Sequence, residues 1–203
     1  MLLAIARILL ATLALTAIGQ QALLHAAASY SMLNFFSYFT NLSNLAAAAV
    51  LIWSVSIRAP RKSTMNDVAR YVSTVNMAVV GIVFSLLLRN VDLGALLPWV
   101  NFVLHYVMPV AIVLEWLLQP PGSRLKAGQL AVAMVFPAGY VVYVLLRGAA
   151  TGWYPYPFLD PANVGGYGGV AMYSLGILVV FVLAGGAILI IGNRLPRLIS
   201  GDA

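Results

Sequence analysis

Long apolar stretches alternate with short polar ones along the whole chain. A helix that crosses a bilayer needs about 20 consecutive, mostly apolar residues. Stretches of that kind lie near residues 2–24, 35–57, 71–89, 99–118, 129–147 and 168–192. The pattern therefore predicts an all-α, polytopic membrane protein with six transmembrane helices.

Composition agrees with this pattern and excludes a soluble protein. The chain is 63% hydrophobic and 8% charged, and its mean hydropathy is +0.97. Soluble globular domains carry about a quarter charged residues. Because the six stretches use most of the chain, we expect one transmembrane domain over residues 1–203.

Basic residues indicate the orientation of the predicted bundle, since they accumulate in cytoplasmic connections. Most follow the second, fourth and sixth stretches, namely Arg58, Arg61, Lys62, Arg70, Arg124, Lys126, Arg194 and Arg197. We predict that both termini are cytoplasmic and that the net charge of +6 reflects topology, not nucleic-acid binding. A short chain rich in Ala and Gly with minimal loops favours a bacterial plasma membrane.

The first stretch also partly resembles a secretory signal peptide, because its apolar run ends in small residues near 26–28. The run is longer than the usual apolar core of a signal peptide. We therefore interpret it as a membrane-spanning helix.

Polar side chains share one face of two predicted helices. In the second stretch these are Ser37, Thr40, Asn41 and Asn44. In the fourth they are Asn101, His105 and Glu115, at helical spacing. At 1.5 Å per residue, Thr40 and His105 each lie roughly 7–10 Å below the outer surface. The spacing predicts that these two side chains are level.

Structural roles are the alternative for each of these residues. The Thr40 hydroxyl can donate a hydrogen bond to the carbonyl one turn back, as threonines in spanning helices often do. His105 and the asparagines can join helices by hydrogen bonds. Glu115 is near a helix end, from where its carboxylate can reach water by snorkelling.

The chemistry of Thr40 and His105 is complementary. A threonine hydroxyl is a poor nucleophile unless a neighbouring base removes its proton, and neutral imidazole is the usual base. Amides such as Asn41, Asn44 or Asn101 can then stabilise the oxyanion of an acyl transfer.

The fourth stretch reads PWVNFVLHYVMPVAIVLEW and the second contains YFTNLSNL. Together with GWYPYPFLD at 152–160, they resemble the androgen-induced-protein and androgen-dependent TFPI-regulating-protein family (FAR-17a-like). That family comprises six-span enzymes that hydrolyse fatty acid esters of hydroxy fatty acids. The resemblance implies that Thr40 is the nucleophile and His105 its partner. The Tyr-Pro-Tyr-Pro motif is still closer to a group of bacterial six-helix membrane proteins.

The fifth stretch and the loop after it supply further candidate substrate-binding residues. Tyr140, Tyr143 and Arg147 share a helical face, on which Arg147 is placed to hold a lipid carboxylate or phosphate. The loop contains Trp153, Tyr156 and Asp160, and its prolines favour an extended cap over the outer mouth. Interfacial anchoring is the alternative for the arginine and the aromatic residues. Asp160 either orients His105 or caps a turn.

No cofactor or metal is expected. The chain has no cysteine and no phosphate-binding, dinucleotide-binding or zinc-protease motif. Glycines 176, 185 and 186 are expected to let the last helix pack closely on its neighbours.

Two main functions fit this pattern. The first is an intramembrane lipid ester hydrolase, or acyltransferase, whose substrate enters from the outer leaflet. The second is a small-solute or lipid transporter, for which polar residues are expected along a whole path. A noncatalytic partner of another membrane complex is a third possibility, and the sequence does not predict an oligomeric state.

Overall fold

Six long helices dominate the computed structural model, which describes residues 1–56, 63–91 and 96–200. Each helix is long and apolar enough to cross a membrane, and the described residues contain no strand. We number them span 1 to span 6: Leu2–Ala27, Phe39–Ser56, Thr64–Leu88, Pro98–Leu118, Gln129–Thr151 and Tyr167–Leu195. The sixth helix continues to Ser200. The predicted all-α, six-span membrane fold is confirmed.

Two short helical segments lie outside the spans. They are the helix Met32–Phe36 and the 3-10 turn Pro157–Leu159. Because the number of spans is even, the N-terminus and the C-terminal end of the sixth helix lie at the same end of the bundle, which we call the terminal end. Connections 28–38 and 152–166 lie at the other, the loop end. That the terminal end faces the cytoplasm stays a prediction, and of its supporting residues Arg58, Arg61 and Lys62 lie outside the described residues.

Two helix starts differ from the hydrophobic pattern. Span 2 begins at Phe39, not near residue 35, because the helix Met32–Phe36 ends at Ser37. The placement of Ser37 on the same helix as Thr40 was therefore wrong. Span 3 begins at Thr64, seven residues before the predicted stretch, because Ser63 caps it and its first turns are polar. Hydropathy does not detect such polar turns, because it takes no account of the partners that their polar groups find elsewhere in the protein.

Span 3 is the central helix and packs against spans 2, 4, 5 and 6, whereas span 1 packs against spans 2 and 4. Spans 1 and 2 meet through fully buried alanines that include Ala14, Ala17 and Ala47. Small residues let membrane helices approach closely and gain van der Waals contact. A second core of larger side chains joins spans 3, 5 and 6 to the 152–166 loop. Thr40 lies where the two groups of helices meet.

Spans 3 and 4 each contain a π-helical segment, at Phe84–Leu88 and Val103–Val107. In span 4, Pro109 lacks the N–H that would bond the carbonyl of His105 in a regular helix. Gly81 faces this proline so closely that a Cβ there would lie 3.0 Å from the Pro109 Cβ. Such π segments are frequent at functional sites. Here they bring the rings of Phe84 and His105 into stacked contact, with centroids 3.9 Å apart.

The glycines of span 6 differ in their surroundings. A Cβ on Gly185 would clash with Leu130, in agreement with the expected close packing. Gly176 and Gly186 have no atom within 4 Å of such a Cβ. The expectation of close packing was therefore wrong for these two, which face open space.

Candidate active site

Thr40 is buried at the loop end, in the first turn of span 2, and is 6% exposed. Its Oγ1 lies 3.2 Å from Nε2 of His105 and 3.5 Å from the hydroxyl of Tyr156. Its backbone N–H donates to the same tyrosine hydroxyl at 3.3 Å. The carbonyl one turn back belongs to the preceding short helix. The described partners of the hydroxyl are therefore side chains from span 4 and from the 152–166 loop.

His105 is held in one orientation by its own helix. Its Nδ1 lies 3.1 Å from the backbone carbonyl of Asn101, which can only accept a hydrogen bond. In the neutral ring the hydrogen is thus assigned to Nδ1, and Nε2 presents its lone pair to Thr40. The ring also stacks on Phe84 and is 6% exposed. This is the arrangement in which an imidazole accepts a hydroxyl proton.

Tyr156 enters the site from the loop between spans 5 and 6. Proline lies on each side of it, and its ring stacks on Phe158 with centroids 5.2 Å apart. Burial raises the pKa of the Tyr156 phenol, so at neutral pH its hydroxyl carries its proton. The loop therefore places a hydrogen-bond donor beside the hydroxyl of Thr40.

The three asparagines support the backbone around the site. Asn41 Nδ2 donates to the carbonyl of Phe35 at 2.8 Å. Asn44 Nδ2 donates to the carbonyls of Thr40 at 2.9 Å and Leu104 at 3.2 Å, which joins spans 2 and 4. Asn101 acts through its backbone carbonyl. The side-chain hydrogen bonds of Asn41 and Asn44 thus hold the backbone near Thr40 and His105, whereas Oδ1 of Asn101 has no described partner.

Span 5 fixes the approach to Thr40 with two tyrosines. The hydroxyl of Tyr140 donates to the carbonyl of Ser37 at 2.9 Å and accepts from the N–H of Phe39 at 3.2 Å. The hydroxyl of Tyr143 lies 2.7 Å from Oγ of Ser37. The contacts of both tyrosines hold the break between the short helix and span 2. This break sets where the helix that carries Thr40 begins.

Arg147, Trp153 and Asp160 lie on the rim at the loop end. Arg147 donates to the side chain of Asn34, and its guanidinium lies 4.7 Å from the ring centroid of Trp153. Asp160 accepts from the N–H of Ala162 at 2.9 Å, so it caps its own turn. Of its two expected roles, the structure gives Asp160 the turn cap.

Glu115 lies at the terminal end and is 5% exposed. Its carboxylate accepts from Nε of Arg7 at 2.8 Å and from Arg70 at 3.1 Å. Arg70 also lies 3.8 Å from Asp67. The snorkelling interpretation of Glu115 was therefore wrong, because buried arginines of spans 1 and 3 satisfy it. Sequence reasoning missed this partnership, although Arg7 and Glu115 lie at similar distances from the terminal ends of their spans.

Two cavities meet at Thr40 and Tyr156, which line both. The first, of about 80 Å³, is apolar and lies among spans 3, 5 and 6. The second, of about 70 Å³, lies among spans 1, 2 and 4, and its polar lining includes Gln21, His25 and His105. We call them the apolar cavity and the polar cavity. A carbonyl carbon beside Thr40 Oγ1 would lie at their junction.

Over the described residues, no group of three or more His, Cys, Asp or Glu side chains is placed to hold a metal ion.

Together, the fold and the arrangement around Thr40 define a class: a six-span helical membrane protein with a buried threonine–histidine pair between two cavities. The family model for FAR-17a/AIG1-like proteins matches residues 8–189. The chain belongs to this family, as the sequence motifs predicted. No protein with a curated description and no solved structure matches it.

Proposed function

We propose that this protein is an intramembrane lipid ester hydrolase with Thr40 as nucleophile and His105 as general base. The observation that carries the proposal is the 3.2 Å approach of Thr40 Oγ1 to Nε2 of His105, whose other nitrogen is held by a carbonyl. A nucleophile, a base within hydrogen-bond reach and a group that orients the base form the usual constellation of covalent acyl transfer. The family resemblance suggests fatty acid esters of hydroxy fatty acids as substrates.

The first half of the reaction forms an acyl-enzyme. Thr40 Oγ1 bonds to the ester carbonyl carbon while its proton moves to Nε2 of His105. The carbonyl oxygen becomes an oxyanion, which the Tyr156 hydroxyl stabilises by donating a hydrogen bond. When the intermediate collapses, the bond to the leaving alcohol breaks and the alcohol oxygen takes the proton from Nε2. Thr40 is then esterified by the acyl group.

The second half releases the fatty acid. His105 accepts a proton from water, whose oxygen bonds to the acyl carbon, and the same histidine returns the proton to Thr40 Oγ1 as the ester bond breaks. An alcohol in place of water would give acyl transfer to a second lipid. Partner molecules are thus membrane acyl lipids, and we assign the site to the outer leaflet of a bacterial plasma membrane.

The test uses purified wild type, Thr40→Ala, Thr40→Ser and His105→Ala in detergent. Fatty-acid release from a panel of lipid esters and labelling by a fluorophosphonate are measured together. We expect release and labelling from wild type, weaker activity from Thr40→Ser, and neither from Thr40→Ala. Circular dichroism and gel filtration confirm that each variant is folded.

Two outcomes would reject the hydrolase. In the first, wild type releases no fatty acid and takes no label. In the second, folded Thr40→Ala and His105→Ala match wild type. Either result returns both residues to helix-joining hydrogen bonds and leaves transport or binding of a lipid or small solute as the better function.

A further inference from the structure

A groove on the outside of the bundle lies next to the apolar cavity. The groove has a volume of about 500 Å³ and lies between spans 3 and 6 at the loop end. Val83 and Ile177 line both the groove and the cavity, so one wall is common to the two. These two side chains therefore separate the outside of the bundle from the cavity that Thr40 lines.

The groove faces the position that lipid occupies around the spans. Leu86 is 71% exposed and Met172 is 76% exposed along its two sides. Among the residues that the structure describes, no charged side chain lines the groove or the apolar cavity. A hydrocarbon chain fits this lining, whereas a charged headgroup would lose its hydration there without finding a partner.

Gly176 is one of the residues that line the groove, and a Cβ there would have no atom within 4 Å. A glycine in a membrane helix usually allows close helix packing. Because no neighbour packs on Gly176, its missing side chain instead leaves the groove wide. The adjacent turn of span 6 carries Ile177 and Phe181 toward the apolar cavity.

We propose that this groove is the lateral portal through which one long acyl chain of a membrane lipid ester enters, and that the apolar cavity binds the chain next to Thr40. The polar cavity, with His25 and His105 in its lining, then receives the alcohol side of the ester and the attacking water. The assignment of the acyl side of the ester to the apolar cavity and of the alcohol side to the polar cavity depends on the proposed hydrolase function. The binding of an acyl chain by the groove and cavity does not.

Chain-length dependence tests the portal in the active enzyme. Gly176→Trp places an indole at the groove, where a Cβ has no atom within 4 Å. Gly186→Trp on the same helix is the matched control, since a Cβ there has equally open space outside the groove. We expect Gly176→Trp to lower kcat/KM for p-nitrophenyl palmitate about tenfold or more while p-nitrophenyl butyrate changes less than about twofold. Gly186→Trp should leave both rates near wild type.

Photo-crosslinking tests the same portal without catalysis. A palmitic acid that carries a diazirine in its chain is irradiated with Thr40→Ala, and the labelled peptides are mapped by mass spectrometry. Label is expected at residues 79–88 and 172–181 and should be lost in Thr40→Ala/Gly176→Trp. The widening change Ile177→Ala should increase labelling, which keeps the test decisive if the tryptophan variant does not fold.

Three results would overturn the portal. In the first, the label is confined to other spans. In the second, Gly176→Trp and Gly186→Trp lose labelling or long-chain activity equally. In the third, Gly176→Trp loses activity on the short and the long substrate equally. An inactive wild type that is nevertheless labelled at the portal rejects the hydrolase and retains the acyl-chain site. An active wild type with no portal effect does the reverse.

Discussion

Two buried polar clusters stand at opposite ends of the same bundle. At the loop end, Thr40 and His105 meet Tyr156, and all three can be neutral. At the terminal end, Glu115 meets Arg7 and Arg70. The guanidinium of Arg70 lies 5.4 Å from the ring centroid of Trp116. Both clusters join distant parts of the chain, and both are almost fully buried.

The clusters differ in the space around their polar groups. Glu115 accepts from two arginines, and Arg70 also donates to the carbonyl of Gln119. Thr40 Oγ1 has a longer contact with Tyr156 and one with His105, and a cavity lies on either side of it. Burial of polar groups alone therefore does not identify an active site. Space for a substrate beside the hydroxyl distinguishes the loop-end cluster from the terminal-end one.

His105→Ala should give the largest effect on chemistry. Loss of the general base lowers kcat about 10³-fold, because removal of such a group typically costs two to four orders of magnitude. Single-turnover ester hydrolysis in detergent measures this loss. The unfolding free energy should change by less than about 3 kcal/mol, because the substitution removes one weak interhelical hydrogen bond and the packing of the ring on Phe84. A stability loss as large as the catalytic one would show that His105 is a structural residue like Glu115.

Glu115→Ala should give the largest effect on stability. It leaves Arg7 and Arg70 buried without their shared carboxylate, which costs about 3–5 kcal/mol. Denaturant unfolding in micelles, followed by circular dichroism, measures the change. Activity per folded molecule should stay within about twofold of wild type. A selective loss of kcat with unchanged stability would join the two clusters into one functional unit.

Tyr156→Phe should lower kcat about 10²-fold with little change in KM, because one oxyanion donor is lost. Tyr167→Phe is the control, since Tyr167 is 58% exposed and lines neither the apolar nor the polar cavity. Burial raises the pKa of Tyr156 above its ordinary value near 10. The phenol therefore stays a donor below that pH, and the ratio of wild-type to variant rates should be constant from about pH 7 to 9. A ratio of one would remove Tyr156 from the chemistry.

Asn101→Ala should give the smallest effect. Its backbone carbonyl, which the substitution preserves, holds Nδ1 of His105. We expect less than about a twofold change in kcat, because Oδ1 of Asn101 has no described hydrogen-bond partner to lose. Stopped-flow or discontinuous ester assays resolve such a change. A loss near that of His105→Ala would mean that the Asn101 amide acts directly on the substrate.

The sequence predicted the six spans from the lengths of their apolar stretches. It also predicted that Thr40 and His105 lie level, as their 3.2 Å contact confirms, although the count began near residue 35 and span 2 begins at Phe39. It did not predict that Tyr156 reaches Thr40, since an irregular loop has no periodicity from which to place a side chain. It placed Ser37 wrongly because a helix break between apolar aromatic residues leaves the hydropathy unchanged. The partners of Glu115 were missed because Arg7 is 108 residues away in the chain.

The break before Phe39 has an electrostatic consequence for Thr40. In a helix that continued from the preceding segment, the Thr40 amide would donate to a carbonyl four residues back, but here it is among the first four amides of a new helix. The summed peptide dipoles give that helix start a partial positive charge of about half an electron. In the proposed reaction, this positive potential at the start of span 2 would favour the negative charge that develops beside Thr40, in surroundings with little water to screen it.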